Sequence, residues 1–130
     1  MDGQQWVAVI DDDESLRRSI VRLLRTVDFD ARGFGSAEEF LGLVNNDCPT
    51  CALVDIYLGH GLNGYELKEQ LDATGFAFPI VFMTAQVELP VRMQQDSSAI
   101  ATCLRKPFGQ DDLLRRLAPH LDAAPRTADA

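Results

Sequence analysis

The chain has 130 residues, which is the length of one ordinary domain and leaves no room for a second. Its composition, 46% hydrophobic and 25% charged, is typical of a globular protein with a core and argues against disorder. Twelve basic residues against twenty acidic ones give a net charge of -8, which disfavours unaided binding to nucleic acid or to an anionic membrane.

Neither a membrane span nor a secretion signal is expected. The longest apolar run, Phe76–Met83, is short and is interrupted by Pro79. The N-terminal residues Met1–Gln5 include no basic residue and lead only to a short apolar segment, which is not the pattern of a signal peptide. Three cysteines, an odd number, fit reduced thiols better than a disulfide framework. These features predict a cytoplasmic protein.

Apolar runs of strand length alternate with segments of helical periodicity, which predicts an α/β fold with a parallel sheet. The first strand, Trp6–Ile10, is continuously apolar, as a strand covered on both faces should be. An amphipathic helix follows, whose apolar face consists of Leu16, Ile20, Leu23, Leu24 and Val27. Asp13 and Glu14 lie at its start, where acidic residues cap a helix and offset its dipole.

The second and third strands enclose a helix with a clear start signal. A strand is expected at Asp30–Phe34, and Ser36 with Glu39 three residues later has the pattern of a capping box that opens a helix. Cys51–Val54 is predicted to be the third strand, which ends on Asp55.

A glycine-rich loop, Gly59 to Gly64, leads into the second half of the chain. A helix that buries Leu67 and Leu71 is expected after it, followed by a fourth strand at Pro79–Met83 with Thr84 at its end. This order continues the alternation of strands and helices.

The last third of the chain is less regular. Residues 87–98 have few apolar residues and predict a helix only weakly, whereas Ile100–Leu104 has the pattern of a fifth strand. The last helix has the apolar residues Leu113, Leu114, Leu117 and Leu121, and Pro119 should kink or fray its end. We therefore expect one domain at residues 1–122 and a loose tail, or the start of a linker, at residues 123–130.

Polar residues stand where the predicted strands end. Five strand–helix units make a doubly wound sheet, which binds ligands beyond the carboxyl ends of its strands. The residues there are Asp11, Asp12 and Asp13 after strand one, Asp55 after strand three, Thr84 after strand four and Lys106 after strand five. Carboxylates held together repel one another unless a cation compensates, and oxygen ligands suit Mg2+, with Mn2+ as an alternative. A carboxylate beside such a cation, a lysine and a hydroxyl is what phosphoryl transfer to an aspartate requires.

Several short motifs, in order and at matching spacing, cover nearly the whole chain. They are Val9–Asp13, Ser36–Leu41, Leu53–Ile56, Asn63–Leu67, Val81–Ala85 and Lys106–Phe108. In these motifs the sequence resembles the receiver domain of two-component response regulators. The resemblance implies a single five-stranded parallel sheet in the order 2-1-3-4-5 with helices on both faces, the flavodoxin-like arrangement.

The function implied by the resemblance is that of a signalling phosphoacceptor rather than an enzyme. A phosphohistidine on a sensor histidine kinase or a phosphotransfer protein would donate the phosphoryl group in a Mg2+-dependent step, and a conformational change would relay the signal. A downstream protein would bind the face made by helix four, strand five and helix five. The resemblance allows a homodimer, and we expect no direct contact with nucleic acid or a membrane.

The resemblance also assigns roles to individual positions. Asp55 would be the phosphoacceptor, and Thr84 and Lys106 would bind the phosphoryl group. The metal ligands would be Asp11, Asp12, Asp55 and the backbone carbonyl of Tyr57. The peptide bond between Lys106 and Pro107 would be cis.

Three positions depart from the family pattern and would tune or replace its switch. Tyr57 and Gln86 lie two residues beyond the acceptor and the threonine, where side chains tune phosphoryl hydrolysis, and Tyr57 is unusually bulky there. Cys103 lies where an aromatic side chain commonly turns inward, and a cysteine has no ring to turn. We therefore expect residues 87–98 to form a short or mobile helix that activation orders or shifts. The loop after Asp55 is also one residue longer than usual.

Three alternatives remain to be weighed. A haloacid dehalogenase-like phosphatase would use Asp11 as nucleophile and Asp13 as general acid, but its later acidic pair is missing because Asp111 and Asp112 open a helix. A receiver-like scaffold would bind partners without being phosphorylated. The spacing of Cys48 and Cys51 resembles a redox motif or half of a zinc site, although Cys51 starts a strand and no second pair follows.

Overall fold

The computed structural model describes residues 5–121, in which strands and helices alternate along the chain. The strands are Trp6–Ile10 (β1), Asp30–Phe34 (β2), Cys51–Asp55 (β3), Ile80–Thr84 (β4) and Leu104–Arg105 (β5). The helices are Glu14–Thr26 (α1), Ala37–Val44 (α2), Gly64–Ala73 (α3), Ser97–Ala101 (α4) and Gln110–Leu117 (α5). In this described range no helix is both long and apolar enough to span a membrane.

All five strands are parallel and lie in the order β2-β1-β3-β4-β5, which confirms the predicted sheet. β1 and β3 are in register, with Ile10 opposite Val54. The next residue of each strand path is therefore an aspartate, so that Asp11 and Asp55 emerge side by side at the carboxyl edge. Thr84 ends β4 at the same edge, opposite Arg105 of β5.

The core consists of two apolar layers, one on each face of the sheet. Alternate residues of β1 divide between them: Trp6, Ala8 and Ile10 pack with α2 and α3, whereas Val7 and Val9 pack with α1 and α5. Every residue of β1 and β3 is buried, because helices cover both faces. This double burial explains why the two strands are continuously apolar.

Side-chain caps set the starts of the first three helices. Asp13 caps α1 by accepting a hydrogen bond from the Leu16 N–H, which confirms its predicted role. Ser36 caps α2 in the same way, but the predicted capping box is only half formed because the Glu39 carboxylate accepts from the N–H of Gly35 and reaches back one residue further. A complete capping box, made by Asn63 and Glu66, opens α3.

The prediction of a fifth strand at Ile100–Leu104 is wrong at its N-terminal end. Residues Ile100 and Ala101 are the last of α4, and β5 comprises only Leu104 and Arg105. The Asp96 carboxylate accepts a hydrogen bond from the Ala99 N–H and so caps α4. A local cap therefore decides the conformation of an apolar run that composition alone assigns to a strand.

The helix expected within residues 87–98 is short and lies later than predicted. α4 has five residues and begins at Ser97, after a single 3-10 turn at Met93–Gln95. Met93 is buried, whereas Val87 and Val91 are 83% and 74% exposed. A short helix is present, but only Ser97 and Ser98 of it fall within residues 87–98, so the predicted position is wrong, and the mobility stays a prediction.

The last helix ends as Pro119 suggests. α5 stops at Leu117, and a 3-10 turn at Ala118–His120 follows. The tail expected at residues 123–130 lies outside the described residues.

Candidate functional site

Three carboxylates meet at the carboxyl edge of the sheet. Asp11, Asp12 and Asp55 each offer an oxygen within 4.8 Å of the others, and within residues 5–121 no other group of three His, Cys, Asp or Glu side chains has this arrangement. Asp11 and Asp55 are buried, at 0% and 6% exposure, whereas Asp12 is exposed. The first two carboxylates are fixed within the fold, and the third faces solvent.

Lys106, which follows the edge strand β5, extends to this cluster. Its Nζ lies 3.0 Å from Asp11 Oδ2 and 3.3 Å from Asp55 Oδ2. Its backbone N–H donates to the Thr84 carbonyl, which fixes the start of the loop, and its peptide bond to Pro107 is cis as predicted. Burial opposes the charge of Lys106, but the hydrogen bond that it donates to Asp11 and the charge of Asp55 leave its pKa raised. The ammonium group therefore balances part of the negative charge.

The balance is incomplete at Asp55. Burial, and then the neighbouring charge of Asp11, raise the pKa of Asp55 to about 7, although Lys106 acts in the opposite direction. A carboxylate under this repulsion gains from a hard divalent cation, which prefers oxygen ligands. The donor set of Asp11, Asp12 and Asp55 therefore fits Mg2+.

Thr84 and Gln86 lie beside the cluster, at the end of β4. Thr84 is buried, and its Oγ1 accepts a hydrogen bond from the Gln86 N–H at 3.0 Å. The Gln86 carbonyl in turn accepts from Arg105 Nη1 at 2.8 Å, so the backbone here is held from both sides. Gln86 itself is exposed to solvent.

Tyr57 connects the loop after β3 to the segment after β4. Its hydroxyl donates to the Glu88 carbonyl at 2.6 Å, and the residue is half-buried. The ring therefore extends from the loop after Asp55 to the chain that follows Thr84.

The long glycine-rich loop after β3 packs closely against its neighbours. Gly59 has φ +84°, and a Cβ there would lie 2.8 Å from Asp12 Oδ2. A Cβ on Gly64 would overlap the Asp55 carbonyl oxygen. The Glu38 carboxylate of α2 accepts a hydrogen bond from the Leu62 N–H at 2.9 Å, which fastens the middle of the loop. Glycine is therefore needed where the loop passes the carboxylates.

Among residues 5–121 the cysteines show neither a redox site nor a zinc site. Burial raises the pKa of Cys51 to about 12, and burial and Asp47 raise the pKa of Cys48, so neither thiol is activated. All three cysteines are free. Cys103 lies just before β5, half-buried against the core layer that contains Trp6.

Sequence reasoning missed one residue that contacts this cluster. Arg17 of α1 donates from Nη1 to the backbone carbonyl of Asp11 at 2.8 Å. The basic positions Arg18 and Arg22 lie on the same helix, and nothing in the pattern distinguishes Arg17 from them. Asp13, by contrast, caps α1 and is not free to be the general acid of a phosphatase.

Comparisons with known proteins agree with this geometry. A family model of the response regulator receiver domain matches residues 7–118. Nodulation protein W of Bradyrhizobium diazoefficiens is 33% identical over 108 residues, which are 83% of this chain and 47% of that protein. The transcriptional regulatory protein TdiR of Thauera aromatica is 32% identical over 108 residues, with the same shares. The chain thus spans about half the length of these curated relatives.

A solved structure gives the same result. The crystal structure of a response regulator receiver protein from Burkholderia phymatum is 34% identical, with a TM-score of 0.74, and the match covers 89% of this chain and 94% of that one. The family match includes both the first motif, which resembles that of the phosphatases, and the later motifs of the chain. The match therefore favours the receiver domain over the phosphatase alternative. This chain belongs to the receiver-domain family of two-component response regulators.

Proposed function

We propose that the protein accepts a phosphoryl group on Asp55 from a phosphohistidine of a sensor histidine kinase or a histidine phosphotransfer protein, with Mg2+ bound. The observation that carries the proposal is the meeting of Asp11, Asp12 and Asp55 with the ammonium group of Lys106 at one edge of the sheet. We assign Mg2+ binding to these three carboxylates and to the backbone carbonyl of Tyr57.

In the proposed reaction an oxygen of Asp55 attacks phosphorus, and the P–N bond to the donor imidazole breaks with its electron pair going to nitrogen. Bound Mg2+ would neutralise charge on the carboxylates and on the phosphoryl oxygens. The Lys106 side chain is 16% exposed and its Nζ already lies beside Asp55. The Nζ can therefore bind a phosphoryl oxygen once Asp55 is phosphorylated.

Thr84 supplies a second donor. Its hydroxyl oxygen accepts from Gln86, which leaves the hydroxyl proton free to be donated to a phosphoryl oxygen. The phosphoryl group thereby connects β3, β4 and the loop after β5. Phosphorylation of Asp55 therefore changes the contacts of all three elements.

We also propose how the domain is used. Residues 1–122 are the phosphoacceptor unit, and residues 123–130 are a tail or the start of a linker. A downstream protein binds the face made by α4, β5 and α5. Cys103, which is half-buried just before β5, stands on this face in place of the usual aromatic switch. The same face allows a homodimer. The length of the relatives, about twice that of this chain, supports an output through other domains or proteins.

The experiment is incubation of the full chain with acetyl phosphate and Mg2+, followed by intact-mass measurement. We expect the mass of one added phosphoryl group on the wild type, its loss in Asp55→Asn and its loss with EDTA. Asp112→Asn is the matched control, because Asp112 is an exposed carboxylate of α5 that pairs with Arg115. Labelling of Asp55→Asn, or undiminished labelling in EDTA, would contradict the proposal. A folded wild type that is never labelled would favour the scaffold alternative.

A further inference from the structure

Asp11 is held at each of its polar atoms. Its N–H donates to the Phe34 carbonyl, its Oδ1 accepts from the Asp13 N–H, and its Oδ2 accepts from Lys106. The remaining atom, the backbone carbonyl, accepts from Nη1 of Arg17 at 2.8 Å. Arg17 is therefore the residue through which a side chain of α1 fixes the main chain of a fully buried carboxylate.

A glycine in β2 makes room for this arginine. Glycine is unfavourable within a strand, yet Gly33 lies next to last in β2. It pairs with Val9, whose side chain is in the core layer that contains α1. A Cβ on Gly33 would lie 3.0 Å from both Cγ and Cδ of Arg17. The stem of Arg17 thus occupies the place of a β2 side chain, and this position directs its guanidinium group to the edge of the sheet.

We propose that Arg17 is a positioning residue for the Mg2+ site: by fixing the backbone of Asp11 it holds the Asp11 carboxylate in place beside Asp12 and Asp55. The inference rests on the proposed function, because it concerns the same metal site. Residues that orient metal ligands affect metal affinity without touching the ion.

Positioning and charge predict opposite effects when Arg17 is removed. A cation close to the site repels Mg2+, so loss of its charge alone would tighten Mg2+ binding. Loss of its hydrogen bond would instead free the Asp11 main chain and weaken binding. The sign of the change therefore distinguishes the two roles.

The test measures the Mg2+ dissociation constant of the full chain by calorimetry, at a temperature where circular dichroism shows each variant folded. Arg17→Met keeps a helix-forming, unbranched stem over Gly33 and removes the donor. We expect its Kd to rise on the order of tenfold. The matched control is Arg18→Met, because Arg18 is exposed and pairs with Glu14, and its Kd should stay within about twofold of the wild-type value.

A kinetic readout separates positioning from a general loss of structure. Arg17→Met should need about tenfold more Mg2+ for half-maximal labelling by acetyl phosphate, in line with its weaker metal binding, yet reach the wild-type maximal rate. A lower maximum at saturating Mg2+ would overturn the inference. The inference would also be overturned if the Mg2+ Kd of Arg17→Met lay within about threefold of the wild-type Kd, or below the wild-type Kd, because we expect weaker binding. A wild type that binds no Mg2+ would overturn the proposed function and, with it, this inference.

Gly33→Val tests the same link without changing the arginine. Valine favours a strand, so β2 should not be weakened, but the new side chain would displace the stem of Arg17. We expect Gly33→Val to weaken Mg2+ binding in the wild type and to add little in the Arg17→Met background. An equal effect in both backgrounds would show that Gly33 does not act through Arg17 and would contradict the inference.

Discussion

At the scale of single residues, the site is a compromise between burial and charge. Asp55 is 6% exposed, lies beside the fully buried Asp11 and, within residues 5–121, has only Lys106 as a cationic partner. Removing charge from water is costly unless it is paired, so the metal-free site is destabilised in its charged form. The same arrangement that prepares Asp55 for a cation weakens the protein without one.

The stability of the metal-free protein should therefore depend on pH through Asp55. Its pKa is about 7 in the folded state and about 4 in an unfolded chain, so its stabilising contribution is present below pH 4 and is lost as the pH rises through 7. Asp55→Asn should be more stable than the wild type by about 1–3 kcal/mol at pH 8, and less so at pH 5. Urea unfolding in EDTA measures this difference. A gap between the two proteins that stays the same at both pH values would contradict it.

Lys106 should bind the phosphoryl group and should not help to hold the metal. Because its Nζ lies 3.0 and 3.3 Å from carboxylate oxygens of Asp11 and Asp55, Lys106→Ala removes a cation that competes with Mg2+. We expect Mg2+ to bind Lys106→Ala as tightly as the wild type or more tightly, while the change in backbone amide NMR shifts on phosphorylation becomes smaller. Loss of Mg2+ binding in this variant would show that the assigned role is wrong.

Tyr57 should prolong the life of the phosphoryl group. Its hydroxyl is hydrogen-bonded to the Glu88 carbonyl, and we expect its ring to cover Asp55 and to exclude an attacking water. Tyr57→Ala should dephosphorylate severalfold faster, whereas Tyr57→Phe keeps the ring and should lie between the alanine variant and the wild type. Decay of the labelled mass after removal of acetyl phosphate gives the rates. Equal rates for all three proteins would mean that the ring does not cover Asp55.

At the scale of elements, the segment from Val87 to Asp96 is held by polar contacts more than by apolar packing. Arg92 forms two hydrogen bonds to Glu69 of α3, at 2.8 and 2.6 Å, and the Tyr65 hydroxyl donates to Asp96 at 2.8 Å. Solvent-exposed ion pairs are weak, and segments with few buried contacts open locally. We therefore expect the segment that follows Thr84 to open locally.

Hydrogen exchange should reveal this weakness. Arg92→Ala removes the link to Glu69, and we expect faster amide exchange in residues 87–96 while the global free energy of unfolding falls by less than about 1 kcal/mol. Arg115→Ala, which removes a comparable exposed pair with Asp112 on α5, is the control. Phosphorylation of the wild type should change exchange in residues 87–96. Exchange there that is unaltered by both Arg92→Ala and phosphorylation would remove the basis for a switch in this segment.

The elements differ in how far the sequence predicts them. β1 and β3 were predictable because burial on both faces leaves an uninterrupted apolar run, and a parallel sheet then brings Asp11 and Asp55 to one edge. β5 was not, because a strand of two residues has no periodicity and the apolar residues before it belong to α4. The contacts of Arg17 and Tyr57 depend on where long side chains reach after folding, and spacing along the chain does not encode this.

At the scale of the whole molecule, two apolar layers enclose a sheet whose carboxyl edge concentrates negative charge in a chain with net charge -8. Self-repulsion of such a chain destabilises the compact state, and any salt relieves it by screening. A cation bound at the proposed site would do more, because only folding brings Asp11, Asp12 and Asp55 together. Stabilisation by Mg2+ would therefore have a general part from screening and a site-specific part from binding at the carboxylates, and the two can be separated.

Mg2+ should stabilise the folded protein beyond the effect of salt. A ligand that binds only the folded state adds about 2.7 kcal/mol to the free energy of unfolding at 100 times its Kd. We expect the sheet and its two core layers to unfold in one cooperative transition, so this gain should appear as a shift of a single midpoint. We expect the urea midpoint at pH 8 to rise with Mg2+ relative to KCl of the same ionic strength. Asp55→Asn should lose most of this rise, because it removes one of the three carboxylates that folding assembles, and Asp112→Asn, on exposed α5, should keep it. Equal midpoints in MgCl2 and matched KCl would mean that the carboxylate cluster does not bind the ion, since screening alone would then account for the whole effect.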